Sequence, residues 1–304
     1  MNELRIIFMG TPEFAVPSLE ILVEHGYKVV AVVTAPDKPQ GRGQKVEMSP
    51  VKMTALRHGL TVLQPTNMKS PEFMDTLRSF NANLQIVVAF RMLPELVWSM
   101  PDLGTFNLHA SLLPQYRGAA PIHWAVINGE QETGVTTFFL KHEIDTGSII
   151  YQDREPIHED DTVGSLYARL MTKGAALVLK TVKAIEAGNA PALPQRESAP
   201  LKHAPKIFRE TCEIKWDRPA HDIRNFIRGL NPFPTAWTTL REKSFKILRA
   251  QVEPGGTGAP GTIQTDERTF LRVRAADGWV VIEELQPEGK RKMNVQDFFR
   301  GNKL

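Results

Sequence analysis

Cysteine is nearly missing from these 304 residues: Cys212 stands alone. A single thiol closes no internal disulfide and has no partners for a cysteine-built zinc site. Long apolar runs are missing too, and the longest fall far short of the ~20 residues that cross a bilayer. Met1–Phe8 has no basic region leading into an apolar stretch, so it reads as a first strand rather than a signal peptide. A disulfide scaffold and a membrane span are thereby excluded, and the cytoplasm is the expected compartment. Also absent is a G-x-G-x-x-G turn. The segment after the first apolar run, Met9–Phe14 (MGTPEF), holds one glycine, which counts against a nicotinamide-dependent oxidoreductase. No internal repeat is visible.

What is present is ordinary in bulk and uneven in distribution. The hydrophobic share is 42% and the charged share 23%, as in a soluble globular protein of about two domains. The net charge of +3 hides a split: residues 1–206 carry 20 Lys+Arg against 21 Asp+Glu, and residues 207–304 carry 17 against 13. The positive excess in the last third fits a polyanionic partner, and it equally fits a solvated basic surface.

The first part of the chain alternates apolar runs with helical patterns. Leu4–Met9, Val29–Thr34 and Leu84–Phe90 are runs suited to strands buried on both faces of a parallel sheet. Between them, Val16–His25, Pro50–His58 and Pro71–Phe80 have helical periodicity. Ser49 before Pro50, and Ser70 before Pro71, supply a helix cap followed by proline at the first helical position. The order continues with a short helix over 93–100, a strand over 105–110, a helix over 119–128, strands over 134–140 and 148–152, and a long helix over 162–187. This alternation predicts an α/β, Rossmann-like doubly wound N-terminal domain over residues 1–189. Residues 190–206 contain several prolines and little periodicity, and read as a semi-rigid linker. Residues 207–304 follow with one helix over 219–230 and several short strands punctuated by Gly and Pro, the pattern of a small OB-like β-barrel.

The most informative stretch is Thr105–Pro121 (TFNLHASLLPQYRGAAP). Asn107 and His109 lie two apart on a predicted strand, so both side chains point to one face. Open α/β sheets bind ligands beyond the carboxyl ends of their strands, which favours this position. Asp145 lies downstream in a loop, His142–Gly147. An aspartate beside a histidine can fix its tautomer and favour its protonated form, and an asparagine amide can donate to developing charge on oxygen. The three together suit acyl transfer through a tetrahedral intermediate. Taken singly, each has a plainer role: a strand histidine in a satisfied core, an aspartate in a turn, an asparagine bonded to backbone. Spacing names no substrate.

The run Phe106–Pro121, with Asp145-Thr-Gly after it, resembles the formyltransferase family that uses 10-formyltetrahydrofolate. The resemblance implies that Asn107, His109 and Asp145 form the catalytic trio, and that Ser111, Leu112, Leu113 and Pro114 lie beside the folate. It implies no metal. The loop Pro36–Lys45 and the C-terminal stretches Lys206–Thr211 and Ile227–Trp237 are similar to those of the tRNA-directed members, which formylate initiator methionyl-tRNA. By that likeness Arg42 and Lys45 contact tRNA, with Gln44 standing where relatives commonly have a second lysine. Residues 207–304 become a tRNA-binding domain, with Arg228, Arg272, Arg274 and Lys290 among the basic candidates for its surface. A monomer is expected. The rival readings are a small-molecule formyltransferase, acting on glycinamide ribonucleotide or a sugar nucleotide, and a non-enzymatic nucleic-acid-binding protein. A glycinamide ribonucleotide enzyme would match only up to about residue 200, a sugar-nucleotide enzyme would need a different appended domain, and a pure binder leaves the trio unexplained.

Overall fold

The computed structural model describes residues 3–40, 45–197 and 199–304. The chain divides into two compact units. The first comprises Met1–Arg117, Gly134–Glu155 and Ala168–Lys202, and the second Gly118–Thr133, Pro156–Tyr167 and His203–Leu304. Two segments that precede residue 189 in sequence therefore group with the second unit.

In chain order, β1 (Arg5–Gly10), α1 (Val16–Glu24) and β2 (Lys28–Val33) come first. They lead to β3 (Lys38–Gln40), β4 (Lys45–Glu47), α2 (Pro50–Arg57) and β5 (Val62–Leu63). After these come α3 (Pro71–Ser79), β6 (Leu84–Val88), α4 (Glu95–Trp98) and β7 (Thr105–His109). The middle of the chain holds β8 (Arg117–Gly118), α5 (Pro121–Ile127), β9 (Glu132–Phe139), β10 (Ile149–Pro156), α6 (Val163–Glu186) and β11 (His203–Ala204).

Seven strands form one sheet in the order β10-β9-β7-β6-β1-β2-β5. β1 pairs in parallel with β2 and β6, β2 with β5, and β6 with β7. β9 joins β7 antiparallel, so the sheet is mixed at that side. The apolar runs became the central strands because they are covered on both faces: every residue of β6 is buried, and Ile6–Gly10 of β1 are buried as well. The expected caps are in place. Ser49 Oγ accepts from the Lys52 amide at 3.0 Å and Ser70 Oγ from the Phe73 amide at 3.3 Å, each ahead of a first-turn proline. Strand order reverses direction at β1, which runs out through β2 to β5 on one side and is flanked by β6 and β7 on the other. The crevice at such a reversal is where open α/β sheets take ligands.

Two departures from the sequence reading stand out in this unit. The loop 36–45 is framed by a small antiparallel hairpin, with Lys38 opposite Glu47 and Gln40 opposite Lys45. Three-residue strands, Lys-Pro-Gln and Lys-Val-Glu, are too short to show a readable apolar alternation. The segment read as a linker is also paired: Leu193 and Ile149 exchange both backbone hydrogen bonds, at 2.7 and 2.9 Å.

In the second unit, α7 (Ala220–Gly229) precedes β12 (Ala236–Leu240), β13 (Lys243–Pro254), β14 (Ile263–Thr265), β15 (Leu271–Arg274), β16 (Gly278–Pro287), β17 (Met293–Asn294) and α8 (Val295–Gly301). The strands form an antiparallel half-barrel in the order β12-β13-β16-β15-β14, with β17 on β16. This is the OB-like β-domain expected from the short strands. Register shifts at Ile247–Ala250 of β13 supply the local bend that lets a long strand curl. Ile223, Ile227 and Leu230 recur at helical spacing, and with Phe245, Ile247, Val280 and Phe298 they form this unit's buried core. Cys212 is buried in the same core.

Candidate active site

The site is built at the carboxyl end of β7. Phe106 and Leu108 are buried, and Asn107 and His109 point to the opposite face, as alternation requires. Asn107 lies between Val87 of β6 and Phe138 of β9, and His109 opposite Thr136 of β9. On the other face, helix α6 approaches the strand closely. A Cβ on Gly174 would lie 2.7 Å from Leu108 Cδ2, which is why glycine is tolerated mid-helix there.

His109 is held by a carbonyl. Its Nε2 lies 2.9 Å from the Tyr116 carbonyl oxygen, a group that only accepts, so Nε2 carries the proton. Nδ1 is left for chemistry, and it faces Asp145 Oδ2 at 3.9 Å. That spacing is an ion-pair distance and too long for a direct hydrogen bond. The two side chains are 7% and 12% exposed, so little solvent screens them from each other. Tyr116 has φ 60° and Asp145 φ 55°, both in the left-handed region that non-glycine residues seldom occupy. Both residues that face the imidazole thus sit on unusually turned backbone.

The loop carrying Asp145 is pinned at several points. Thr146 Oγ1 donates to the Glu143 carbonyl at 3.0 Å. Gly147 lies so close to the end of β9 that a Cβ there would stand 1.6 Å from the Phe139 carbonyl oxygen. His142 packs edge-on to Trp98 and pairs with Glu95 at 2.9 Å. Gln195 donates to the carbonyls of Asp145 and Gly147, at 2.7 and 3.0 Å.

The segment Ser111–Pro114 is fixed from within. Ser111 is fully buried, and its hydroxyl donates to the Gln115 carbonyl at 2.6 Å. Thr136 Oγ1 donates to the Ser111 carbonyl at 2.6 Å, and Gln152 Nε2 donates to the Leu113 carbonyl at 2.9 Å. Leu113 is buried, whereas Leu112 and Pro114 remain partly exposed. Ser111 and Leu113 therefore shape the loop, and Leu112 and Pro114 present surface. Tyr116, Arg117 and Gln195 are not singled out by any pattern of spacing or composition in the sequence. Only the first two lie inside the informative stretch.

Of the expected tRNA contacts, Arg42 lies outside the described residues. Lys45 opens β4, with its backbone opposite Gln40. In the second unit, Arg274 corrects one expectation. It is buried, donates to the Gly255 carbonyl at 2.7 Å and lies 5.7 Å from the Trp279 ring, so it does not line an outer basic surface. Its strand neighbour in alternation, Arg272, pairs with Glu253 and sits 4.8 Å over Trp279. Arg228 donates to the carbonyls of His158 and Asp161, and burial there lowers its pKa. Among the described residues, no group of three or more His, Cys, Asp or Glu is arranged to hold a metal ion. No helix among them is long and apolar enough to cross a membrane.

Residues 4–182 match the Formyl transferase family, and residues 206–303 match the Formyl transferase C-terminal domain. The chain is 54% identical over 309 residues to a methionyl-tRNA formyltransferase of Bacteroides fragilis, covering 99% of this chain and 95% of that one. Among solved structures it is similar to the methionyl-tRNA formyltransferase from Clostridium thermocellum, with a TM-score of 0.56 and 14% identity over 82% of this chain and 94% of that one. HypX from Aquifex aeolicus in complex with tetrahydrofolic acid matches with a TM-score of 0.64 and 19% identity, over 98% of this chain and 48% of that longer one. At such identities the two solved structures speak to the fold alone.

Proposed function

The chain belongs to the formyl transferases and, within them, to the methionyl-tRNA formyltransferases, and from that premise we propose that Asn107, His109 and Asp145 carry out transfer of the formyl group from 10-formyltetrahydrofolate to the amino group of methionine on initiator tRNA. The observation that supports this reading best is the meeting of His109 Nδ1 and Asp145 Oδ2, nearly buried, beyond the end of a central strand.

The uncharged amine attacks the formyl carbon, and a carbon–nitrogen bond forms as the carbonyl π pair moves onto oxygen. The Asn107 amide donates to that oxyanion, and His109 Nδ1, once it has taken the proton that the attacking nitrogen loses, adds a second donor. Asp145 stabilises the ring while it is cationic. The tetrahedral intermediate collapses when the bond to the folate nitrogen breaks. The proton lost by the attacking amine goes to that nitrogen through Nδ1, directly or by water. N-formylmethionyl-tRNA and tetrahydrofolate leave. Holding donor and acceptor together supplies much of the acceleration, and no step needs a metal.

The folate donor rests against Ser111–Pro114, with Leu112 and Pro114 offering apolar surface and the buried Ser111 and Leu113 keeping the loop in shape. Arg42 and Lys45 meet phosphates of the acceptor arm. Residues 1–189 serve catalysis, 190–206 connect, and 207–304 bind tRNA, with segments 118–133 and 156–167 packing as part of that second unit. The enzyme works as a monomer in the cytoplasm, where its aminoacylated substrate is made.

The deciding assay offers 10-formyltetrahydrofolate with charged initiator methionyl-tRNA and, in parallel, with glycinamide ribonucleotide. Formyl transfer to the tRNA alone is expected. Transfer only to the small acceptor would keep the trio's chemistry and overturn the assignment of the loop and of residues 207–304.

A further inference from the structure

Residues 190–202 belong to the first compact unit, and one side chain among them reaches the Asp145 loop. After Leu193 pairs with Ile149, the chain brings Gln195 beneath residues 145–147. The Gln195 amide is used at both ends. Nε2 donates to the carbonyls of Asp145 and Gly147, at 2.7 and 3.0 Å, and Oε1 accepts from Arg117 Nη2 and Nε, at 2.7 and 3.2 Å. Arg117 Nη1 pairs in turn with Glu197 at 3.0 Å. These partners fix which way round the amide lies. Two carbonyl oxygens require the NH2 group, and a guanidinium requires the oxygen.

The loop needs such a hold. Asp145 is a non-glycine residue at φ 55°, a conformation that costs an L-residue energy, though aspartate less than most. Its neighbour Thr146 bonds back within the loop, to Glu143, whereas Gln195 comes from 50 residues further along the chain. A turn of the Asp145 backbone would swing its carboxylate away from His109, whose Nδ1 stands 3.9 Å from Oδ2.

We infer that Gln195, itself held by Arg117, is a positioning residue for the transfer reaction: it locks the Asp145 backbone and so sets where the carboxylate stands beside His109. The inference rests on reading Asp145 as part of the site, and it assigns Gln195 no contact with either substrate.

The test uses the full chain and four variants: Gln195→Glu, Gln195→Ala, Asp145→Asn, and Gln195→Glu combined with Asp145→Asn. Gln195→Glu keeps the size of the side chain and its pairing with Arg117, and turns both donations into oxygen–oxygen contacts. We expect kcat to fall about 10- to 100-fold, the scale of a small misplacement of reacting groups. KM for methionyl-tRNA and for the folate donor should each stay within about twofold, because no binding contact is lost. In the Asp145→Asn background the same change should cost less than about threefold, since there is no carboxylate left to position. A folded Gln195→Glu protein with wild-type kcat overturns the inference. So does an equal fold-loss in both backgrounds, which is the signature of general loosening. Gln195→Ala carries the same comparison if the glutamate variant does not fold. Should Asp145→Asn alone retain full turnover, the site reading fails first and the positioning role goes with it. A wild-type Gln195→Glu beside a crippled Asp145→Asn removes the positioning role only.

Discussion

At the scale of single residues, the proposed transfer site depends on groups whose alternatives are few. His109 has one nitrogen committed to the Tyr116 carbonyl, so in the proposed mechanism the chemistry falls to the other. Replacing it with alanine should lower kcat by about 10²- to 10⁴-fold, the range for losing an acid–base group. The melting temperature should change little by comparison. A loss well under tenfold in single-turnover transfer would take His109 out of the reaction. Gly147 makes a different demand, that of space. A methyl group there would meet the Phe139 carbonyl at 1.6 Å and Phe138 Cδ2 at 3.1 Å. Backbone must move to relieve this, so Gly147→Ala should destabilise by roughly 1–3 kcal/mol and disturb Asp145 two residues away. Gly301, near the chain's end, has nothing within 4 Å of the same position, and Gly301→Ala should stay within about 0.5 kcal/mol. Chemical denaturation of the two variants side by side checks the contrast.

At the scale of elements, helix α5 carries His123, whose ring is placed against the Phe233 carbonyl at 3.2 Å. Burial lowers its pKa, and the carbonyl contact only partly offsets this. The folded-state pKa is therefore below the unfolded value, and the unfolded chain binds more protons in the interval between them. Stability should fall as pH drops through the ordinary imidazole range near ~6.5. The slope should vanish both above that range and below the folded pKa. Urea midpoints measured across the interval should decline for the natural chain and lose part of that decline in His123→Leu; identical slopes would remove the assignment. The elements most legible in the sequence are those whose signal is local. β1, β2 and β6 announce themselves as apolar runs, α2 and α3 by Ser-Pro starts, and Asn107 and His109 by a two-residue spacing that alternation converts into a shared face. What escaped depends on partners distant in sequence. β3 and β4 are too short to show an alternation, β5 has two residues, and α8 begins at an Asn294 cap inside a polar stretch that gave no warning of it. Gln195 is one polar residue among prolines, and only the folded chain brings it under Asp145.

At the scale of the whole molecule, the question is which positive charges meet the tRNA. The excess of basic residues after position 206 suggested a surface of many contacts, but several of those side chains already have work inside the fold. Arg274 is buried against the Gly255 carbonyl and the Trp279 ring, Arg228 binds two carbonyls, and Arg272 is paired with Glu253. A charge held this way releases few counterions when nucleic acid binds, because it is not free to neutralise a phosphate. Arg42, which the family resemblance assigns to tRNA, should behave in the opposite manner. Two variants then separate the cases. Arg42→Ala should raise KM for methionyl-tRNA, leave KM for 10-formyltetrahydrofolate and the melting temperature nearly unchanged, and reduce the slope of log(kcat/KM) against log(salt) by about 0.7–0.9, one phosphate contact's share. Arg274→Met should lower the melting temperature, since it removes a part-buried hydrogen bond to the Gly255 carbonyl and the cation over the Trp279 ring, and should leave the salt slope as it was. Steady-state kinetics over a salt series, with thermal melts of the same samples, gives both readouts. If Arg42→Ala left the slope unchanged while Arg274→Met reduced it, tRNA phosphates would be met by the second unit's strands, and the loop after β3 would lose its assigned role.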